Sequence, residues 1–138
     1  MTARFDSVDE LLADARSRLA RRQPDEAYGE VRAGARIVDI RPAWQRRQEG
    51  EIPGSLIIER NHLEWRLHPR SDARMPLAAD GQRWIVVCSE GYTSSLAADA
   101  LLWLGIPATD IVGGFTAWRA AGLPTTEGGT PIEQIVPG

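Results

Sequence analysis

The sequence contains no lysine. All sixteen basic residues are arginine, which removes any mechanism built on an imine to a lysine amine. There is one cysteine, Cys88, so no disulfide can close within the chain and no Cys-x-x-Cys dithiol exists. A secreted, disulfide-stapled domain is therefore not expected. Histidine is nearly as scarce, with only His62 and His68. Both lie in a polar connecting region, a poor basis for a zinc site or for a histidine-activated cysteine. No apolar run approaches the roughly 18 residues of a membrane-crossing helix. The first residues scatter acidic and basic side chains among short apolar stretches, unlike a signal peptide. Internal repeats and low-complexity segments are also missing. A net charge of −3 argues against a general nucleic-acid or membrane-surface role. The expectation is one cytoplasmic domain, with no nucleic-acid or membrane partner and no metal or cofactor.

What is present is ordinary in amount, 43% hydrophobic and 25% charged over 138 residues, enough for one core. Ser7 to Glu10 fits a capping box, and Val8, Leu11, Leu12, Ala15 and Leu19 share one face of a helix ending near Arg22. A second helix is predicted from Pro24 through Val31, stopped by Gly34. The surroundings of Arg22 are a candidate edge strand. Ile37 to Ile40 and Ser55 to Ile58 read as strands, with a short helix over Ala43 to Gln48 between them. Asn61 to Leu67 reads as a short helix and Arg70 to Gln82 as connection. Asp110 to Val112 is one more strand, and Phe115 to Ala121 a helix stopped by Gly122 and Pro124. Short apolar strands alternating with helices predict a parallel sheet covered on both faces. Residues 125–138, rich in Gly, Thr and Pro, read as a loosely held tail.

The stretch Trp84 to Gly105 carries the chemistry. Trp84 to Val87 is a buried-strand run, and Cys88 ends it. A small, polar turn follows, Ser89-Glu90-Gly91-Tyr92, before a helix capped by Thr93 or Ser94. Cysteine after such a run is ordinarily a small buried hydrophobe. Here it sits at a strand end facing a helix N-terminus, where successive N–H groups can converge on an anion and favour a thiolate. A phosphatase loop of the Cys-x5-Arg type would need arginine where this chain has Ser94.

These residues resemble the single-domain rhodanese-like sulfurtransferases, over roughly Asp25 to Pro124. Ile37-Val38-Asp39-Ile40-Arg41 resembles the family's hydrophobic-Asp-x-Arg signature. Gly50-Glu51-Ile52-Pro53-Gly54-Ser55 resembles its Gly-His-Ile-Pro-Gly-Ala loop. Cys88-Ser89-Glu90-Gly91-Tyr92-Thr93 has the six-residue length of its sulfurtransferase loop. Gly113-Gly114-Phe115-Thr116-Ala117-Trp118 with Gly122-Leu123-Pro124 resembles its closing motif. The resemblance implies a three-layer α/β/α fold, with a central parallel sheet of about five strands over residues 24–124. Residues 1–23 would be a helical extension and residues 125–138 a flexible tail. It further implies a persulfide on Cys88, stabilised by N–H groups of Ser89 to Thr93, by the Thr93 hydroxyl and by the dipole of the helix that begins at Thr93 or Ser94. The partners would be a small-molecule sulfur donor and a thiol or protein acceptor.

The departures are as specific. Many loops of the family carry a basic residue after the cysteine, where this chain has Ser89 and Glu90, so thiosulfate is expected to be a poor donor. Arg41, Arg60 and Arg66 are candidates to supply the charge from elsewhere. Glu51 replaces the usual histidine. Asp39 and Arg41 are expected to form a structural ion pair bracing the loop, Trp118 to pack in the core and Tyr92 to be exposed. Arg46-Arg47 reads as a solvated helix face. Two readings stay open: an enzyme using Cys88, and a non-catalytic binding or sensing module of the same fold. The N-terminal helix and the tail could pack on the domain or on a second subunit as a homodimer.

Overall fold

Four short β-branched or aromatic runs pair side by side. The computed structural model describes residues 1–138, in the order α1 (Val8–Arg16), α2 (Pro24–Arg32), β1 (Arg36–Asp39), α3 (Ala43–Glu49), β2 (Leu56–Ile57), α4 (Leu63–Leu67), β3 (Trp84–Val87), α5 (Thr93–Trp103), β4 (Ala108–Asp110) and α6 (Gly114–Ala120). The sheet order is β2-β1-β3-β4, and every pairing is parallel. The fifth strand expected near Arg22 is reduced to one parallel bridge, Arg22 to Ile111, beyond β4. From β1 the chain first crosses to one side, to β2, and then to the other, to β3. The carboxyl ends of β1 and β3 thus flank the point where the order reverses, the usual ligand position in open α/β sheets.

Period-two alternation splits the core into two layers. Val38, Trp84, Val86 and Cys88 pack with Leu63, Leu67, Ala97, Ala98 and Leu101 on the α4/α5 face. Ile37, Ile85 and Val87 pack with Ala27, Phe115 and Trp118 on the α2/α6 face. Trp118 is in this core, edge-on to Tyr28 with ring centroids 5.8 Å apart. The alternation that buries Trp84 and Val86 under α5 also turns the Cys88 side chain toward that helix. No helix is long and apolar enough to cross a membrane.

Several boundaries differ from the expectation. The first helix ends at Arg16, not near Arg22, because Arg18 and Leu19 close tighter turns through N–H bonds to Ala15 and Arg16 carbonyls. That frees Arg21 and Arg22 to reach the β4 edge. β4 lies two residues before the expected strand, where Ala108 to Asp110 pair with Trp84 to Val86. Residues 125–138 are not loosely held. Val136 is buried and its N–H donates to the Ser55 carbonyl, while Gln134 accepts from the Ile57 N–H, laying the segment antiparallel along β2.

Candidate active site

Cys88 follows β3 and is 5% exposed. Its Sγ accepts the N–H of Gly91 at 3.3 Å and of Ser94 at 3.4 Å. Ser94 is the second residue of α5, so one of the helix's unpaired N–H groups is spent on the sulfur. Sequence had suggested a Thr93 or Ser94 side-chain cap. Instead Tyr92 is the N-cap, without a side-chain bond, and the Ser94 hydroxyl donates to Asp110. Of the loop N–H groups, those of Gly91 and Ser94 reach the sulfur. Those of Ser89, Glu90, Tyr92 and Thr93, and the Thr93 hydroxyl, do not.

The loop carbonyls face outward and are held there. Cys88 and Ser89 carbonyls accept from Phe115 and Thr116 N–H at 2.8 and 3.0 Å, at the start of α6. This approach explains Gly114, where a Cβ would lie 2.5 Å from the Cys88 carbonyl oxygen. The Gly91 carbonyl accepts from Arg16 at 2.6 Å and from Arg21 at 3.0 Å. Gly91 has φ +86°, and a Cβ there would meet Gly113 N at 2.9 Å. Outward carbonyls leave the inner wall of the loop to N–H groups, which suits an anionic sulfur.

Asp39 and Arg41 form the expected ion pair, both buried, at 2.6 and 3.0 Å. Burial raises the Asp39 pKa, a rise that the Arg41 side chain and N–H oppose. Arg41 Nη1 reaches Glu49, which also accepts from the Ser89 hydroxyl at 2.7 Å. The pair thus braces the loop through α3. Arg41 is consumed by these contacts and packs over Phe115, 4.3 Å from its centroid. Arg60 pairs with Glu64 and Arg66 with Glu133, so none of the three candidate arginines offers a free charge to the loop. Tyr92 is 61% exposed, and Glu90 is exposed without an ion-pair partner.

One other expectation is corrected. Arg46 is not on a solvated face: it is buried and ion-paired to Glu51 at 2.5 Å, while Arg47 is exposed. Glu51, fully buried, also accepts from the Thr130 hydroxyl and N–H. The Glu51 carboxylate therefore fastens the C-terminal segment to α3. Sequence reasoning also missed Arg16, Arg21, Ser95 and Asp110. Asp110 is buried and accepts from Arg21 Nε at 2.8 Å and from Ser94 and Ser95 hydroxyls at 2.8 and 2.7 Å. No local pattern marks these residues, because their partners lie 15 to 89 positions away.

Residues 23–121 match the family model described as the rhodanese-like domain. No functionally curated protein matches the chain. Among solved structures, a Rhodopseudomonas palustris protein of unknown function, described as a possible tyrosine phosphatase, is similar at 30% identity and TM-score 0.80, covering 91% of this chain and 98% of its own. A rhodanese-related protein from Thermoplasma volcanium is similar at 21% identity and TM-score 0.63, over 77% of this chain and 96% of its own. A thiosulfate sulfurtransferase from Pseudomonas aeruginosa is similar at 24% identity and TM-score 0.65, over 84% of this chain but 21% of its own. The last two likenesses speak for the fold alone. With the parallel sheet, the cysteine-ended β3 and a family match across most of its length, the chain belongs to the rhodanese-like domain family.

Proposed function

We propose that this chain is a sulfurtransferase that carries a sulfane sulfur on Cys88. The observation that supports this best is the loop's polarity: two N–H groups directed at Sγ, with three carbonyls turned away and tethered. The Cys88 thiolate attacks the outer sulfur of a donor. The donor bond to that sulfur breaks, S–S in thiosulfate or a persulfide and C–S in mercaptopyruvate, its electron pair leaves with sulfite, a thiolate or the pyruvate enolate, and a new Sγ–S bond forms. An acceptor nucleophile then attacks the terminal sulfur, breaking that bond and restoring the thiolate. No oxidant or reductant is consumed. The acceptor comes from outside, since the chain holds no second cysteine.

Glu90 at the mouth repels a dianion, which favours a less charged donor such as a low-molecular-weight persulfide over thiosulfate. The description of the R. palustris relative raises a phosphatase reading. Phosphate transfer in a cysteine loop relies on a bidentate arginine, and the corresponding Ser94 hydroxyl is instead bound to Asp110. The remaining reading is a non-catalytic module of the same fold.

Intact mass after incubation with thiosulfate, mercaptopyruvate or glutathione persulfide tests these readings together. One added sulfur atom on the parent, absent from Cys88→Ser, is the expected result. A serine variant that transfers sulfur as fast as the parent overturns the role of Cys88. Hydrolysis of p-nitrophenyl phosphate that depends on Cys88, without any sulfur gain, would favour the phosphatase.

A further inference from the structure

We propose that Arg16 and Arg21, which lie before the family-matched residues 23–121, are positioning residues for the Cys88 loop and supply the positive charge that the loop lacks. The proposal rests on the reading of Cys88 as the sulfur carrier. Arg16 is the last residue of α1, and Arg21 follows in the segment that bridges β4. Both guanidinium groups converge on one backbone atom, the Gly91 carbonyl oxygen, at 2.6 and 3.0 Å. The N–H of the same residue points at Sγ at 3.3 Å. The two arginines therefore act one residue's length from the sulfur, on the side opposite the donor N–H.

Three physical effects follow. Peptide planarity turns the Tyr92 N–H away from the arginines when the Gly91 carbonyl points toward them. Charge-assisted bonds hold that carbonyl in place, and with it the Gly91 backbone whose own N–H, in the preceding peptide, is directed at Sγ. The charge balance is positive. Arg21 is matched by buried Asp110, whereas Arg16 forms no ion pair: its Nε donates to the Ser95 hydroxyl at 3.0 Å and its guanidinium lies 5.7 Å from the Tyr92 centroid. Arg16 thus brings one uncompensated cation to the back of a loop whose own charged residue is Glu90. Position 89, next to the cysteine, is a serine whose hydroxyl donates to Glu49. The cation stands behind the loop and not within it.

The test reads Cys88 chemistry with a reagent that needs no sulfur donor. In the full-length protein, alkylation of Cys88 by iodoacetamide at fixed neutral pH is expected to slow at least fivefold in Arg16→Gln. Arg16→Lys is expected to recover most of the rate. Arg21→Gln strands a buried carboxylate, so it is paired with Arg21→Gln/Asp110→Asn, in which both charges are removed together. Arg18→Gln is the control: it breaks the pairs of Arg18 with Asp14 and Asp99 on the same segment without touching the loop, and leaves the alkylation rate within twofold of the parent. If Arg16→Gln lowers Tm as Arg18→Gln does but alkylates at the parental rate, the arginine is merely structural and the proposal is overturned. Persulfide formation followed by mass separates the two ideas. A parent that accepts sulfur from no donor refutes the sulfurtransferase reading, while the alkylation series still decides the role of the arginines.

Discussion

Single side chains settle the character of the sulfur site. Cys88 is buried and touched by two N–H donors. The charged residue of the loop itself, Glu90, is exposed. Reversing that charge by Glu90→Lys is expected to lower the thiosulfate KM by about threefold to tenfold at low ionic strength, the scale of an exposed charge interaction. The gain should vanish in 1 M salt, where screening reaches about 3 Å. Steady-state kinetics at the two salt concentrations check it, and an unchanged KM at low salt removes Glu90 as the reason for discrimination. Glu51 shows the opposite lesson. Its carboxylate is taken up by buried Arg46 and by Thr130 of the C-terminal segment.

At the scale of elements, α3 and the C-terminal segment are locked by that pair. Arg46 donates to Glu51 and to the Thr130 carbonyl at 2.7 Å, and Thr130 donates back to Glu51. Gly128 is needed where the segment crosses α3, since a Cβ there would fall within 1.8 Å of the Arg46 carbonyl oxygen. Burial pushes the Glu51 carboxyl up, but the Thr130 hydroxyl and the Arg46 guanidinium outweigh it and hold the pKa below the ordinary range. A folded-state pKa below the unfolded one contributes stability that is present above about pH 4.3 and lost as pH falls through the folded value. Glu51→Gln, which leaves Arg46 unpaired, should therefore cost roughly 3 kcal/mol at pH 7. The gap between parent and variant melting temperatures should narrow as pH falls below about 4.3 and on through the lowered folded-state value. A gap of equal size at pH 3 and pH 7 would show that the charge of Glu51 is not what fastens the segment.

For the whole molecule, the residues that match the family model are not all that holds the domain together. The N-terminal segment packs α1 on α5, pairs Arg18 with Asp99 and Arg21 with Asp110, and adds the Arg22 bridge beside β4. Deleting residues 1–22 would leave Asp110 buried without its cation, a loss of about 3–5 kcal/mol. For a domain of this size that corresponds to roughly 10–20 °C in Tm. Thermal unfolding followed by circular dichroism checks this, and a change of about 3 °C or less would make the segment a mere appendage. The same contacts predict that the segment unfolds with the rest of the domain, as small single domains usually do.

The sequence by itself determined the family, the parallel α/β architecture and the cysteine at the end of a central strand. Those features are written in short-range terms: β-branched runs, glycine stops, and a period of two that sends Cys88 to the same face as Trp84 and Val86. Even the bracing pair Asp39–Arg41 was legible, because its members lie two residues apart. Tertiary structure alone decided which of sixteen chemically equal arginines do what. Arg46 and Arg47 are neighbours, yet one is buried against Glu51 and the other is in solvent. Arg16 and Arg21 meet Gly91 from 75 and 70 positions away. Local propensity acts over a few residues, whereas the partner of a long guanidinium is set by where folding leaves a carboxylate or carbonyl out of water. The cysteine at the strand end could be read from the residues around it, but the charge behind its loop could not.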